Sequence, residues 1–380
     1  MISVNFNPER LTLLRERAGM TKEALAQKCG VTRRTVTDWE SGHVATPPVE
    51  MLANLFDVEA QFLGREDAPD LDQANVSFRA LSSVGARKAK QVIAAARLSL
   101  ELSHWLDDRY ETPPVDLPTL DDLLSPLGPE DYSPERASKM LRQIWGLSDR
   151  PIKNMLWLLE RQGIRVFSLP SEDRDVDAFS FWHGGRPYVF LNVDKSAERL
   201  RFDLAHELGH LILHKGVSTA RERHYEMQAN QFASAFLMPT AGLLAQLSTA
   251  SSQIRLQDVY VMKRSWKVSA VAMVRRLFDL GAILDWHYRN WMVDLSSKGY
   301  RRGEPDGVHP EQSRLITSVL ARAREDGIGL GQMSRDSGVP LHAIQDAFTG
   351  LAVVPLAMTS TELDPTTPNT AIAVPRLRGI

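Results

Sequence analysis

One helix-length segment in the middle of the chain constrains its fold and chemistry more than any other. In RFDLAHELGHLILH, residues 201–214, apolar side chains recur at the three- and four-residue intervals of a buried helix face. His206 and His210 are four residues apart, so on a helix they lie on the same side, one turn apart. Glu207 lies about 100° round the helix from the first histidine. This H-E-x-x-H pattern predicts a metal-binding helix set in an apolar core.

A zinc ion that takes part in catalysis needs a third protein ligand and an open fourth position. His214 lies about 12 Å along the helix from His206, too far to bind the same ion, so we expect it to have a packing or supporting role. Glu226 is the preferred third ligand because it opens the helical run EMQANQFASAFLMP. Asn230 follows one turn later on the same face, where its amide can orient a ligand histidine. Two rivals for the third ligand stay open: Glu222 and His224.

The position of Glu207 predicts a role in catalysis. Its carboxylate would lie beside the ion and not on it, where it can take a proton from a metal-bound water whose pKa zinc lowers to about 7. A purely structural zinc is the alternative, but such a site has no use for a carboxylate beside an open coordination position. We therefore predict a catalytic Zn²⁺ with Glu207 as general base. The nearest candidates for stabilising an oxyanion are His224 and Tyr225.

Turn signals divide residues 5–64 into five short helices. In the segment MTKEALAQKCGVTRRTVTDWESG, Gly30 marks a tight turn between two of them. Thr21 and Thr32 are placed to cap the helices on either side of that turn. Trp39 and the valines before it are spaced to hold the second helix against the first. This spacing predicts a helix-turn-helix unit.

The exposed face of the second helix in this unit carries polar side chains that we expect to contact DNA. An arginine near the N-terminus of such a helix can donate two hydrogen bonds to guanine O6 and N7 in the major groove. Asp38 can accept one from a cytosine amine, and Lys22 is placed for a phosphate. The predicted DNA contacts are Thr21, Lys22, Thr32, Arg33, Arg34, Thr37 and Asp38. The alternative is a helical bundle that contacts protein instead of DNA.

Both motifs resemble known families. The N-terminal patterns T-x-x-x-L-A, G-V-x-x-x-T-V and W-E-x-G resemble the Xre family of phage-repressor-like helix-turn-helix domains. Lys22 departs from that family, which usually has glutamine there, so the register on DNA is expected to differ. The run DAFSFW…RLRFDLAHELGHLILH…EMQANQFASAFLMP resembles the ImmA/IrrE family of regulatory zinc peptidases, in which fusion to an Xre domain recurs.

The second resemblance implies a specific site and fold. It implies that His206, His210 and Glu226 bind Zn²⁺ and that Glu207 is the general base of a zinc metalloendopeptidase. It also implies a gluzincin-like core, in which a small antiparallel sheet packs on the helix that carries H-E-x-x-H. Members of that family are described as cleaving repressors.

Three short segments before the motif supply the strands of such a sheet. They are Ile164–Leu169, Asp177–His183 and Arg186–Asn192, and Gly184-Gly185 between the last two is a hairpin signal. The expected fold is therefore mainly α with a small antiparallel β-sheet, an α+β class. The predicted domains are a five-helix Xre-type unit at 1–66, a helical segment and Pro-rich connector at 67–131, a zinc peptidase domain at 132–290, and a C-terminal helical extension with a loose tail at 291–380.

Composition narrows the setting in which the chain works. The net charge of −2 gives no global affinity for nucleic acid or membranes, so DNA binding must rely on a local surface. Cys29, the single cysteine, excludes an intrachain disulfide and fits a reducing compartment. The N-terminus lacks the apolar core of a signal peptide, and no segment is apolar enough to span a membrane. These features predict a cytoplasmic protein without a membrane partner.

The two motifs together predict a DNA-binding transcriptional regulator with a zinc-dependent endopeptidase domain that cleaves a regulatory protein. We expect a homodimer on double-stranded DNA, because a single unit of this kind binds weakly. The alternative is a transcription factor or antitoxin whose metallopeptidase-like domain is a non-proteolytic sensor. Glu207 is the residue that discriminates between the two.

Overall fold

The computed structural model describes residues 5–43, 47–71, 84–124, 133–170, 176–216, 222–248, 254–300 and 303–354. The described chain is mainly helical, with one three-stranded sheet. It begins with α1 (Pro8–Arg17), α2 (Lys22–Cys29), α3 (Arg33–Glu40), α4 (Val49–Phe56) and a 3-10 helix (Ala60–Gly64). These elements confirm the predicted five-helix unit. None of the described helices is long and apolar enough to cross a membrane.

Local signals set the bounds of the helix-turn-helix. The hydroxyl oxygen of Thr21 accepts a hydrogen bond from the backbone N–H of Ala24, and that of Thr32 accepts one from the N–H of Thr35. Each threonine thereby caps its helix. Gly30 has a φ of 67°, a left-handed conformation that glycine adopts at little cost, and it ends α2. The chain can therefore turn sharply into α3.

A long helix, α5 (Ala86–Arg109), joins the N-terminal unit to the rest of the molecule. The guanidinium of Arg10 on α1 donates to both carboxylate oxygens of Glu101, at 3.0 and 2.5 Å. Two turns further on, Asp107 accepts from Arg165 of the sheet at 2.5 Å. Both arginines are almost fully buried. Because buried charges are stable only when paired, these contacts anchor α5 to the α1 unit at one point and to the sheet at another.

The remaining elements follow in chain order. The helices before the sheet are α6 (Leu120–Leu124), α7 (Pro134–Ile144) and α8 (Met155–Arg161). The strands are β1 (Arg165–Ser168), β2 (Ala178–His183) and β3 (Arg186–Leu191). The helices after it are α9 (Ala197–Leu213), α10 (Glu222–Leu237), α11 (Thr240–Ser248), α12 (Leu256–Trp266), α13 (Ala270–Asp279), α14 (Asp285–Ser297), α15 (Arg314–Glu325), α16 (Leu330–Ser337) and α17 (Leu341–Phe348).

The sheet has the strand order β1-β3-β2 and is mixed. β2 and β3 form the predicted antiparallel hairpin, closed by Gly184 and Gly185, which both have positive φ. β1, however, pairs with the other side of β3 in parallel. The mainly α, α+β class is confirmed, whereas the expectation of a wholly antiparallel sheet is corrected. Turn chemistry determines only the hairpin, because it acts within a few residues, and the direction of β1 depends on how distant segments pack.

Helix α9, which carries H-E-x-x-H, packs between the sheet and α10. The sheet presents buried aromatic side chains such as Phe179 and Phe190, whose rings stack at 4.9 Å. On the α10 side, Gly209 lies so close to the partner helix that an added Cβ would be 3.2 Å from Phe232 Cδ1 and 3.3 Å from Ala229 Cα. This glycine therefore allows α9 and α10 to approach closely.

The C-terminal helices contact both the N-terminal helical unit and α8, the helix that precedes the sheet. Arg17 of α1 pairs with Asp346 of α17, and Arg65 donates to the backbone oxygen of Ser337 at 2.9 Å. Glu160 at the end of α8 accepts hydrogen bonds from the first turn of α15. The domain boundaries stay predictions, and the one at residue 290 falls inside α14. The predicted loose tail lies mostly in residues 355–380, outside the described part.

Candidate metal centre and DNA-binding surface

Three side chains of the α9–α10 pair converge on one point. Candidate ligand atoms of His206, His210 and Glu226 all lie within 4.8 Å of one another. The two imidazole Nε2 atoms are 3.0 Å apart, and they lie 3.4 and 3.2 Å from the Glu226 carboxylate oxygens. Ligand bonds of about 2.0 Å at tetrahedral angles would place the ligand atoms about 3.3 Å apart. The donor set therefore fits a zinc ion in both chemistry and spacing.

The charges around this cluster favour a cation. Burial raises the pKa of Glu226, but the contacts with His206 and His210 outweigh burial and hold that pKa well below its usual range. Burial lowers the pKa of His206, yet the carboxylates of Glu226, Glu207 and Asp203 outweigh it and raise that pKa. The centre therefore places an ionised carboxylate directly between two imidazoles, and a divalent ion would satisfy all three groups.

Glu207 is buried beside the cluster, and its carboxylate is not one of the clustered ligand groups. The hydroxyl of Ser180, on β2, donates to Glu207 Oε2 at 2.6 Å. Burial raises the pKa of Glu207, and the two histidines lower it in part. The motif did not reveal Ser180. The one available signal was a polar residue between aromatic neighbours in the strand AFSFWH.

Hydrogen bonds hold the far sides of both imidazoles. His206 Nδ1 lies 3.2 Å from the Asn230 side-chain oxygen, on the face where the helical spacing placed this amide. His210 Nδ1 lies 2.9 Å from His214 Nδ1, and His214 Nε2 lies 3.0 Å from the Gln228 side-chain oxygen. Burial is the main cause that lowers the pKa of His214, to about 4. A neutral His214 can accept a hydrogen bond from His210 Nδ1–H and donate one from its own Nε2–H to the Gln228 side-chain oxygen, an arrangement that leaves His210 Nε2 free to bind a metal.

The rival residues lie elsewhere or cannot be placed. Glu222 begins α10, but its side chain is outside the described part of the structure. His224 is exposed and does not join the ligand cluster. The ring of Tyr225 lies 4.8 Å from that of His214, the residue that contacts His210 Nδ1. Neither oxyanion candidate is therefore shown facing the ligand atoms.

The DNA-binding candidates on α3 are exposed, with few internal contacts. Arg33 is exposed and has no carboxylate partner among the described residues. Arg34 is 91% exposed and lies 4.0 Å from Asp38, so this pair is weak. Thr37 donates to the backbone oxygen of Arg33, and Thr32 caps the helix. The two arginines are therefore available to bases or phosphates.

Lys22 is less available than the sequence suggested. Its Nζ lies 3.1 Å from Glu40, a buried carboxylate that also accepts two hydrogen bonds from Arg15. About a third of the lysine side chain remains exposed. A phosphate at this position would thus share the ammonium group with Glu40. Glu40 is the acid of the W-E-x-G motif, so the sequence contained the partner of Lys22. The sequence could not show the contact itself, because it forms only when α3 packs against α2.

Comparison with known families agrees with these two sites. Residues 159–278 match the Peptidase M78 family model, described as an IrrE N-terminal-like domain, and residues 11–58 match a helix-turn-helix model. The matched ranges include every member of the α9–α10 cluster, most of α1 and all of α2 to α4. No curated protein matches the chain. Both resemblances inferred from the motifs are confirmed, and the chain joins a helix-turn-helix domain to an IrrE N-terminal-like, metallopeptidase-type domain.

Proposed function

We propose that this chain is a cytoplasmic DNA-binding regulator whose metallopeptidase-type domain cleaves a peptide bond in another regulatory protein. The observation that carries the proposal is the arrangement around Glu207. A buried carboxylate, oriented by Ser180, lies beside a His-His-Glu ligand set without belonging to it. A centre that served only to hold the domain together would need the ligand set and not this carboxylate.

Each residue of the centre would have a separate role in hydrolysis of the peptide bond. When bound, a zinc ion supplies Lewis acidity that activates water and polarises a carbonyl group. Glu207 accepts the proton of the attacking water and returns it to the departing amine nitrogen, as general base and then general acid. Ser180 keeps one carboxylate oxygen in place, and Asn230 and His214 orient the two ligand imidazoles.

The helix-turn-helix would bring the metallopeptidase-type domain to DNA. Exposed Arg33 and Arg34 support contacts in a major groove, and the internal pairing of Lys22 supports modest non-specific affinity. A homodimer on an inverted repeat, with half-sites about one helical turn apart, would raise that affinity. Tethering to DNA would raise the local concentration of a DNA-bound substrate. Cleavage of that substrate, and not operator binding by this chain, would then change the expression of the target genes.

Glu207→Gln tests the proposal. The amide is nearly isosteric, so the variant should bind zinc and DNA as the wild type does. It should fail to cleave regulators encoded beside this chain's gene and fail to switch target genes, because an amide cannot take the proton from water. Glu325→Gln, an exposed glutamate of α15, is the matched control and should behave as the wild type.

The outcome separates the two functional hypotheses. Loss of cleavage and of gene switching, with zinc and DNA binding retained, supports a peptidase. If Glu207→Gln switches its target genes normally, proteolysis is not the output, and the domain is a sensor or a structural element.

A further inference from the structure

A cavity of about 860 Å³ lies away from the α9–α10 cluster, between the metallopeptidase-type domain and the C-terminal helices. Its walls are the residues just before α8, the end of α12, the segment 306–312 and the first turns of α15. Binding sites for small molecules typically have volumes of about 300–1,000 Å³. The size and position of the cavity therefore suit a metabolite bound between two parts of the chain.

Most of the charged groups that line the cavity are positive. The cations are Lys153, Lys263, Arg264, Lys267 and Arg314, and the acids are Asp306 and Glu311. Both acids are already paired, Asp306 with Arg264 and Glu311 with the buried Arg201. Lys263 lies 2.9 Å from Glu304. Both acids are therefore neutralised by pairs within the protein, and two of the five cations, Lys263 and Arg264, already have carboxylate partners.

The other three cations have no carboxylate partner among the described residues. Lys153 is exposed, and Lys267 donates only to the backbone oxygen of Lys153, at 2.7 Å. Arg314 stacks on Trp157, with its guanidinium carbon 3.6 Å from the ring centroid, which leaves its N–H groups free. An anion with more than one negative charge would compensate these cations, and phosphate groups match both lysine and arginine donors.

Buried contacts join the walls of this cavity to the helix that carries the metal ligands. Arg201, one to two turns before His206 on α9, donates to the backbone oxygens of Ile152 and Lys267, each at 2.9 Å, and pairs with Glu311. One buried side chain thus contacts three walls of the cavity. A change in the spacing of those walls would reach α9 directly.

We propose that this cavity binds a small, multiply phosphorylated molecule, and that its occupancy is transmitted along α9 to the metal centre through Arg201. The ligand would bridge Lys153, Lys267 and Arg314 and draw the start of α8 and the start of α15 together. The metal centre would then respond to a metabolite that does not touch it. This inference concerns a different site from the proposed peptidase and does not depend on proteolysis.

Isothermal titration of the zinc-loaded full-length protein tests binding. The probes are fructose 1,6-bisphosphate and adenosine 3′,5′-bisphosphate, with fructose and adenosine as uncharged controls. We expect one of the bisphosphates to bind at one site per chain and the uncharged molecules not to bind. The double variant Lys153→Gln, Arg314→Gln should raise the dissociation constant at least tenfold. Lys28→Gln, Lys139→Gln, which removes two exposed lysines elsewhere, should leave it unchanged.

Two results would overturn the binding proposal. The first is that neither bisphosphate binds saturably, and the second is that binding survives in the Lys153, Arg314 double variant. If neither bisphosphate binds but that variant weakens binding to duplex DNA of arbitrary sequence, the cavity is a surface for a nucleic-acid backbone and the proposal is wrong.

The rate of zinc transfer to a colorimetric chelator tests transmission. Addition of the bisphosphate that binds should change this rate at least threefold in the wild type and leave it unchanged in the double variant, which also controls for chelation by the probe. If the bisphosphate binds but the wild-type rate does not change, the cavity is a binding site without a link to the metal centre.

Discussion

Gly209→Ala tests whether the metal centre depends on the close approach of α9 and α10. The new methyl group would lie 3.2 Å from Phe232 Cδ1 and 3.3 Å from Ala229 Cα, so the neighbouring helix must move by a few tenths of an ångström. Overpacking of a buried position typically costs about 1–3 kcal/mol. Alanine is favoured over glycine within a helix by about 1 kcal/mol. The free energy of unfolding should therefore fall by about 0–2 kcal/mol, and the fold should survive.

Zinc affinity should respond more strongly than stability. Glu226 lies on α10, whereas both histidine ligands lie on α9, so any separation of the helices stretches the ligand set. Metal–ligand distances tolerate only about 0.2 Å of departure from ideal values. We expect zinc affinity to fall about tenfold, an effect of about 1.4 kcal/mol in binding free energy.

The assays are a chelator competition for zinc and denaturant unfolding of the metal-free protein. Gly85→Ala is the control, because nothing lies within 4 Å of an added Cβ there and its φ suits alanine. If Gly209→Ala binds zinc as tightly as the wild type and gains about 1 kcal/mol of stability, helix propensity alone governs this position. The close approach of α9 and α10 would then not control zinc binding.

Three further predictions follow from the two sites. Alanine in place of any one of the three clustered ligands should remove zinc from the purified protein in elemental analysis, whereas His224→Ala should keep it; the reverse result would show that the third ligand is misassigned. Zinc affinity should fall about tenfold per pH unit below the raised pKa of His206, because a protonated imidazole cannot bind metal, and equal affinities at pH 8 and pH 6 would contradict this. Replacing Arg33 or Arg34 by alanine should cost about 1–3 kcal/mol of operator binding at one base pair, and unchanged affinity in the double variant would remove α3 from base recognition.

Local patterns were enough to predict the two domain types and much of the site. Four-residue spacing on a helix determines that His206 and His210 lie on one side, whatever surrounds them. Capping threonines and the Gly184-Gly185 turn likewise act within a few residues. The helix-turn-helix, the metallopeptidase-type family and the mainly α fold class could therefore be predicted from the sequence and are confirmed.

Contacts between distant segments depended on tertiary packing. Only the fold brings Ser180 to Glu207, which is 27 residues away, and Glu40 to Lys22 on another helix. The parallel β1–β3 pairing is of the same kind. Sequence periodicity reports which face of an element is buried, but not which face of another element covers it.

The cavity beside α15 is the clearest feature that could not be predicted from the sequence. Its cations come from parts of the chain more than 150 residues apart, such as Lys153 and Arg314, and none of them belongs to a recognisable motif. The charge of a binding site depends on which side chains are left unpaired after folding, and that pairing is decided between elements. The sequence thus determined what kind of helix carries the candidate metal ligands His206 and His210, while the tertiary structure decided what surrounds them.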